Sequence, residues 1–122
     1  MLIILKIVFT TLFWSAGIFG VFNYSEVVKE VQAVHLPFPF LLAAATIATQ
    51  LGGSALIITN AGNLAWLGAV ALAVFTLLTI PFGHAFWTFT EPQRTAELHI
   101  ALEHITVAGG LLLAAWWFKF AQ

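Results

Sequence analysis

Residues 36–86 read LPFPFLLAAATIATQLGGSALII (36–58), TNAGN (59–63) and LAWLGAVALAVFTLLTIPFGHAF (64–86). Two apolar runs without a single Asp, Glu, Lys or Arg flank five small or polar residues. As helices rising about 1.5 Å per residue, each is long enough to cross about 30 Å of hydrocarbon. Strands of a membrane barrel would be shorter and would alternate apolar with polar, and nothing here alternates. The five-residue break allows only a tight turn, so the two runs form a hairpin of transmembrane helices.

Two further runs flank this hairpin, at about residues 2–22 and 98–120. The expected organisation is therefore a single membrane domain over 1–122, with spans near 2–22, 36–58, 64–86 and 98–120. Composition agrees. The chain is 61% hydrophobic and 7% charged, with a mean hydropathy of +1.02, outside the range of soluble globular domains. Four Lys+Arg and five Asp+Glu are too few to cover a soluble surface. The fold class expected is an all-α integral membrane protein, a four-helix bundle solvated by lipid.

A net charge of −1 offers no basic patch for phosphates, so nucleic acid is not a partner. The absence of cysteine removes disulfides, iron–sulfur ligation and thiol relays. The run MLIILKIVFTTLFWSAGIFGVF is longer than the apolar core of a cleaved signal and reads as the first span.

The connection between the first two spans has its own pattern. Asn23 followed by Glu26 reads as a capping box, and Val27, Val31 and Val34 recur at helical spacing. A short amphipathic helix lying in the membrane interface is expected there. Pro92 marks the approach to the fourth helix. An even number of spans puts both termini on one side, where Lys6 and Lys119 balance Lys29 and Arg94 on the other. The terminal amine tips that side towards the cytoplasm. Ala16 and Gly20, Ala48 with Gly52 and Gly53, Gly68 with Ala69, and Gly109 with Gly110 supply small residues for close helix packing.

The fourth span opens on ELHIALEH (97–104), four ionisable residues in eight positions. At about 100° per residue, Glu97 and His104 fall about 20° apart and His99 and Glu103 about 40° apart. Leu98, Leu102, Ile105, Leu112 and Trp116 make the lipid face, and all four ionisable residues are expected to turn towards the bundle. Glu97 and His99 are shallow and read as interfacial residues suited to a helix start. Glu103 and His104 lie deeper and are the stronger candidates for a ligand site. His84, after Pro81 and Gly83, lies at the same membrane end. Two histidines, an acid and nearby Trp87 suit the carbonyls and ring of a quinone, so the candidate binding set is His84, Trp87, His99, Glu103 and His104. No spacing characteristic of metal or haem ligation is present, which makes a haem-binding electron carrier the weakest of the readings. Gln50, within the second span, is expected to hydrogen-bond another helix. Arg94 is expected to pair with Glu91 or Glu97, and His35 to be interfacial.

Taken in order, LFWSAGIFGVFN (12–23), AVHLPFPFLLAAATIATQLGGSALII (33–58), FTLLTIPFGHAFW (75–87) and ITVAGGLLLAAW (105–116) resemble the DoxX family of small four-helix membrane proteins. The resemblance implies an inner-membrane protein and, for some members, association with thiosulfate:quinone oxidoreductase or redox-stress complexes. It therefore implies other membrane or peripheral redox subunits as partners. It also implies departures. A Lys is common in the family where Gly20 stands, a Glu where Gln50 stands, and Lys-Asn where Glu103-His104 stand. Loss of the first two together is consistent with removal of one intramembrane charge pair. The functional expectation is a membrane subunit or anchor of a quinone-linked redox assembly; the competing one is a purely structural accessory subunit.

Overall fold

The computed structural model describes residues 1–121, and these form helices and turns without a strand. Helices α1 (Leu2–Phe9) and α2 (Thr11–Phe22) are followed by α3 (Tyr24–Ala33), α4 (Pro39–Thr59), α5 (Ala65–Gly83) and α6 (Gln93–Trp116), the last continuing as a π-helical turn to Ala121. Helices α4, α5 with the turn after it, and α6 are each long and apolar enough to cross a membrane. The pair α1 and α2 makes a fourth span if its 60° bend is counted within one crossing.

That bend divides the run expected to be the first span, and its setting is local. Thr10 Oγ1 donates to the Lys6 carbonyl at 2.8 Å and Thr11 Oγ1 to the Ile7 carbonyl at 3.1 Å. The Trp14 indole N–H donates to that same Ile7 carbonyl at 3.0 Å. Side chains that return to backbone carbonyls in this way compete with the helical ladder and bend it. In an apolar solvent the carbonyls so loosened are satisfied within the segment.

α3 is the amphipathic helix expected from the valine spacing, with Val27 and Val28 buried. The expected capping box is not formed. Asn23 is the residue preceding the helix, but its amide donates to the Phe19 carbonyl at 3.0 Å and makes no cap. The start of α3 is tied instead by the Tyr24 hydroxyl, which donates to the Phe40 carbonyl at the start of α4.

In the half of the bundle near the termini, Phe13, Ile57, Ala69, Leu72, Ala73, Leu111 and Ala115 form one core cluster. Under α3, Val27, Val28, Ala43 and Ile47 form a second. Small residues bring backbones together at particular places. A β-carbon on Gly68 of α5 would lie 2.6 Å from the Gly53 carbonyl oxygen of α4. One on Gly20 of α2 would lie 2.8 Å from Ile47. The expected packing role of the others is corrected: a β-carbon on Gly52, Gly109 or Gly110 would meet nothing within 4 Å, so these three face outward. For Gly52 and Gly53 the reason is rotational, since adjacent glycines lie about 100° apart on a helix and only Gly53 faces α5.

Candidate functional site

α5 ends at Gly83, and the His84 N–H closes its last turn on the Ile80 carbonyl at 2.9 Å. The His84 ring is thereby aimed across the mouth of the bundle at α6. Its Nδ1 lies 2.8 Å from Glu97 Oε2, with the two side chains 28% and 18% exposed. The His104 ring, two turns further along α6, lies 4.8 Å from the His84 ring between centroids, tilted by 58°. Glu97 and His104 are too far apart on their helix to touch, so His84 spans the gap between them.

The hydrogen bonds fix the free valences. A carboxylate and a carbonyl only accept, so His84 Nδ1–H donates to Glu97, and His104 Nδ1–H donates to the Ile100 carbonyl at 2.8 Å. Each imidazole has its Nδ1 committed, and no protein partner takes either Nε2 among the described residues. In the neutral form these two nitrogens accept; protonated, they donate.

Both rings line a cavity of about 440 Å³ that runs inward between α2, α3, α4, α5 and α6. Its walls are mainly apolar, with Phe13 and Leu12 from α2 and Phe75 and Phe82 from α5. Polar groups are spaced along it: Glu30 from α3 near the mouth, Thr46 and Gln50 one turn apart on α4, and Thr76 and Thr79 on α5. The two α5 threonines are already bonded to backbone carbonyls of their own helix. Gln50, expected to bond another helix, has no side-chain partner among the described residues, and its amide faces the cavity.

The other candidate residues lie elsewhere. His99 and Glu103 are on the flank of α6 turned away from the cavity. The inward stripe is Glu97, Ala101, His104, Ala108, Leu111 and Ala115, narrower than the half-helix the spacing suggested. Trp87 is 53% exposed in a short 3₁₀ turn, edge-on to Phe86 at 5.2 Å and outside the cavity lining. The rings facing the cavity are those of Phe75 and Phe82. Arg94 does not pair with Glu91 or Glu97: Thr95 bonds the first and His84 the second. Among the described residues, no group of three His, Asp or Glu converges in a way that could hold a metal ion.

Sequence reasoning missed Glu30, Thr46, Thr76, Thr79 and the two phenylalanines. A signal for part of this set was present, because Thr46/Gln50 and Thr76/Thr79 are polar pairs at i,i+4 and i,i+3 inside otherwise apolar spans. The rotation of α6 about its axis turns Glu97 to His84 and Glu103 away from the cavity.

The family model described as DoxX matches residues 1–85. The match takes in α1 to α5 and ends just past His84, so Glu97 and His104 lie beyond it. No curated protein and no solved structure matches. The chain belongs to the DoxX family and is a multi-pass membrane protein.

Proposed function

With that membership as premise, we propose that this protein is a membrane subunit or anchor of a quinone-linked redox assembly, and that its cavity takes a quinone-like ligand. The observation that carries the reading is the pairing of two uncommitted histidine nitrogens with a long, mainly apolar cavity. A quinone has polar carbonyls on a flat ring and an apolar tail, and ligand sites of this size combine apolar walls with a few convergent polar groups. The ring sits at the mouth, where His84 and His104 Nε2 meet its oxygens. Phe82 packs against the ring, and the tail follows the apolar wall inward past Phe75, about two turns deeper on α5.

The proton chemistry follows from the donors. Two-electron reduction of a quinone needs two protons as well as the electrons, and the electrons come from a partner redox subunit. His84, held by Glu97 on its Nδ1, presents Nε2 to the ligand and is positioned to pass a proton there to a quinone oxygen. His104 is the second donor. Glu30, at the mouth on the interfacial helix, offers an exchange point with water.

The double variant His84→Ala/His104→Ala tests the reading in native membranes. Loss of ubiquinone or menaquinone binding, with the protein still inserted and folded, is the expected result; unchanged binding and unchanged quinol-linked activity would sink the proposal. A second reading, a structural accessory subunit, draws on one observation. Ala44, Ala48 and Gly52 form an exposed small-residue stripe on the lipid side of α4, suited to close approach by another membrane helix. Co-purification of a membrane partner that is lost in Gly52→Leu, with quinone binding absent throughout, would favour it.

A further inference from the structure

The acidic side chains are all at one end of the molecule. Glu26 and Glu30 are on α3, Glu91 is in the α5–α6 connection, and Glu97 and Glu103 are on the first half of α6. The opposite end, where the α4–α5 turn meets the end of α6, holds Lys6 and Lys119 and no acidic side chain. The ion pairs among the described residues are Lys29–Glu26 and His84–Glu97, so neither lysine has a carboxylate partner there. Each rests on an aromatic ring instead: Lys119 Nζ is 4.5 Å from the Trp66 ring centroid and Lys6 Nζ 5.4 Å from that of Phe118.

Two hollows meet around these lysines. One is polar, about 350 Å³, and lined by Asn60, Asn63, Trp66, Phe118 and Lys119. Asn60 Oδ1 accepts from the Ala65 N–H at 3.0 Å, which leaves its amide NH₂ as the free group. The other is an apolar groove of about 310 Å³ between α1 and α6. Leu5 and Phe9 form one wall, Gly110 and Leu113 the other, and Lys6 and Trp117 lie along it. Trp117 and Phe118, in edge contact at 5.4 Å, separate the two.

We propose that this end of the bundle binds one anionic phospholipid. Its phosphate lies in the polar hollow against Lys119 and the amides of Asn60 and Asn63, with Lys6 as a second cation on the groove side. One acyl chain lies in the groove beside Gly110. The charge argument and the shape argument are independent: two lysines without a carboxylate partner among the described residues call for an anion, and the adjoining groove calls for a chain. An ammonium held on an aromatic face at the membrane interface is desolvated on one side, which strengthens its attraction for a phosphate. A zwitterionic lipid brings its own ammonium and gains less.

The test uses the purified protein in a non-ionic detergent, with dioleoylphosphatidylglycerol, dioleoylphosphatidylcholine and inorganic phosphate as separate probes. Retention by native mass spectrometry and the shift of the thermal unfolding midpoint are read together. Phosphatidylglycerol is expected to be retained and to raise the midpoint, phosphatidylcholine not. Lys119→Gln should weaken phosphatidylglycerol binding about tenfold, the loss of one charge-assisted contact, while Lys119→Arg keeps it. Gly110→Phe, whose ring grows into open space, should expel the acyl chain and weaken the lipid without changing the effect of phosphate. Equal retention of the two lipids, or wild-type affinity in Lys119→Gln, would overturn the proposal. So would inorganic phosphate protecting as well as the lipid with Gly110→Phe silent.

Discussion

On α4, three residues separate two opposite solutions to packing in a membrane. At Gly53 the backbones of α4 and α5 close until a β-carbon on Gly68 would meet the Gly53 carbonyl oxygen at 2.6 Å. At Gln50 the same helix stands off and its side chain faces a cavity of about 440 Å³. Lipid tails are as apolar as leucine, so helices associate through close van der Waals contact and polar pairing rather than through exclusion of water. Where both facing residues are glycine, contact is nearly complete and Leu72 seals it. Where threonine, glutamine and histidine project from several helices without pairing across the gap, no such closure occurs. The difference teaches that the cavity needs no special device: one helix carries a closing face and a standing-off face.

The comparison breaks first at its tight end. Gly68→Val places a β-carbon against backbone that cannot rotate away, so the cost should reach the top of the overpacking range, about 3 kcal/mol. Denaturant titration in detergent micelles measures it, and a loss under about 1 kcal/mol would mean that α4 and α5 separate easily. At the open end, Glu97→Gln replaces a charge-assisted bond to His84 with a neutral one and should cost about 1 kcal/mol. The same titration checks this. The ¹⁵N shifts of the His84 ring should move with it while those of His99 do not. The smallest effect is expected outside both regions. Gly52→Leu, with nothing within 4 Å of its β-carbon, should change the stability of the isolated chain by less than about 0.5 kcal/mol. A large loss there would show that α4 turns a different face to its neighbours.

Several parts of the site could be read from residue identity alone. His84 behind Pro81-x-Gly83 and His104 deep in an apolar run are conspicuous because ionisable residues in a span are costly. Glu97 was legible as a residue but not as a partner, since its shallow position made the membrane interface a sufficient explanation. His99 and Glu103 were legible as a candidate i,i+4 pair, yet they face outward. Trp87 and Phe82 illustrate the same limit: both are aromatic and close to His84 in sequence, but only Phe82 follows α5 into the cavity wall. The capping box at Asn23 is not formed: its side-chain NH₂ donates back to the Phe19 carbonyl of the preceding helix, and its oxygen caps no N–H of α3.

The apolar runs by themselves determined that this chain is helical and crosses a membrane several times. Without water, a backbone must satisfy its own hydrogen bonds, and a helix of about 20 apolar residues does so. The valine spacing likewise determined the amphipathic helix α3. Only the tertiary structure decided which glycines pack, which acid meets His84, and where a cavity remains. Those outcomes depend on the rotation of each helix about its own axis, to within a few tens of degrees. In a span with apolar residues on every side, hydropathy barely distinguishes one rotation from another; contacts with the neighbouring helices do.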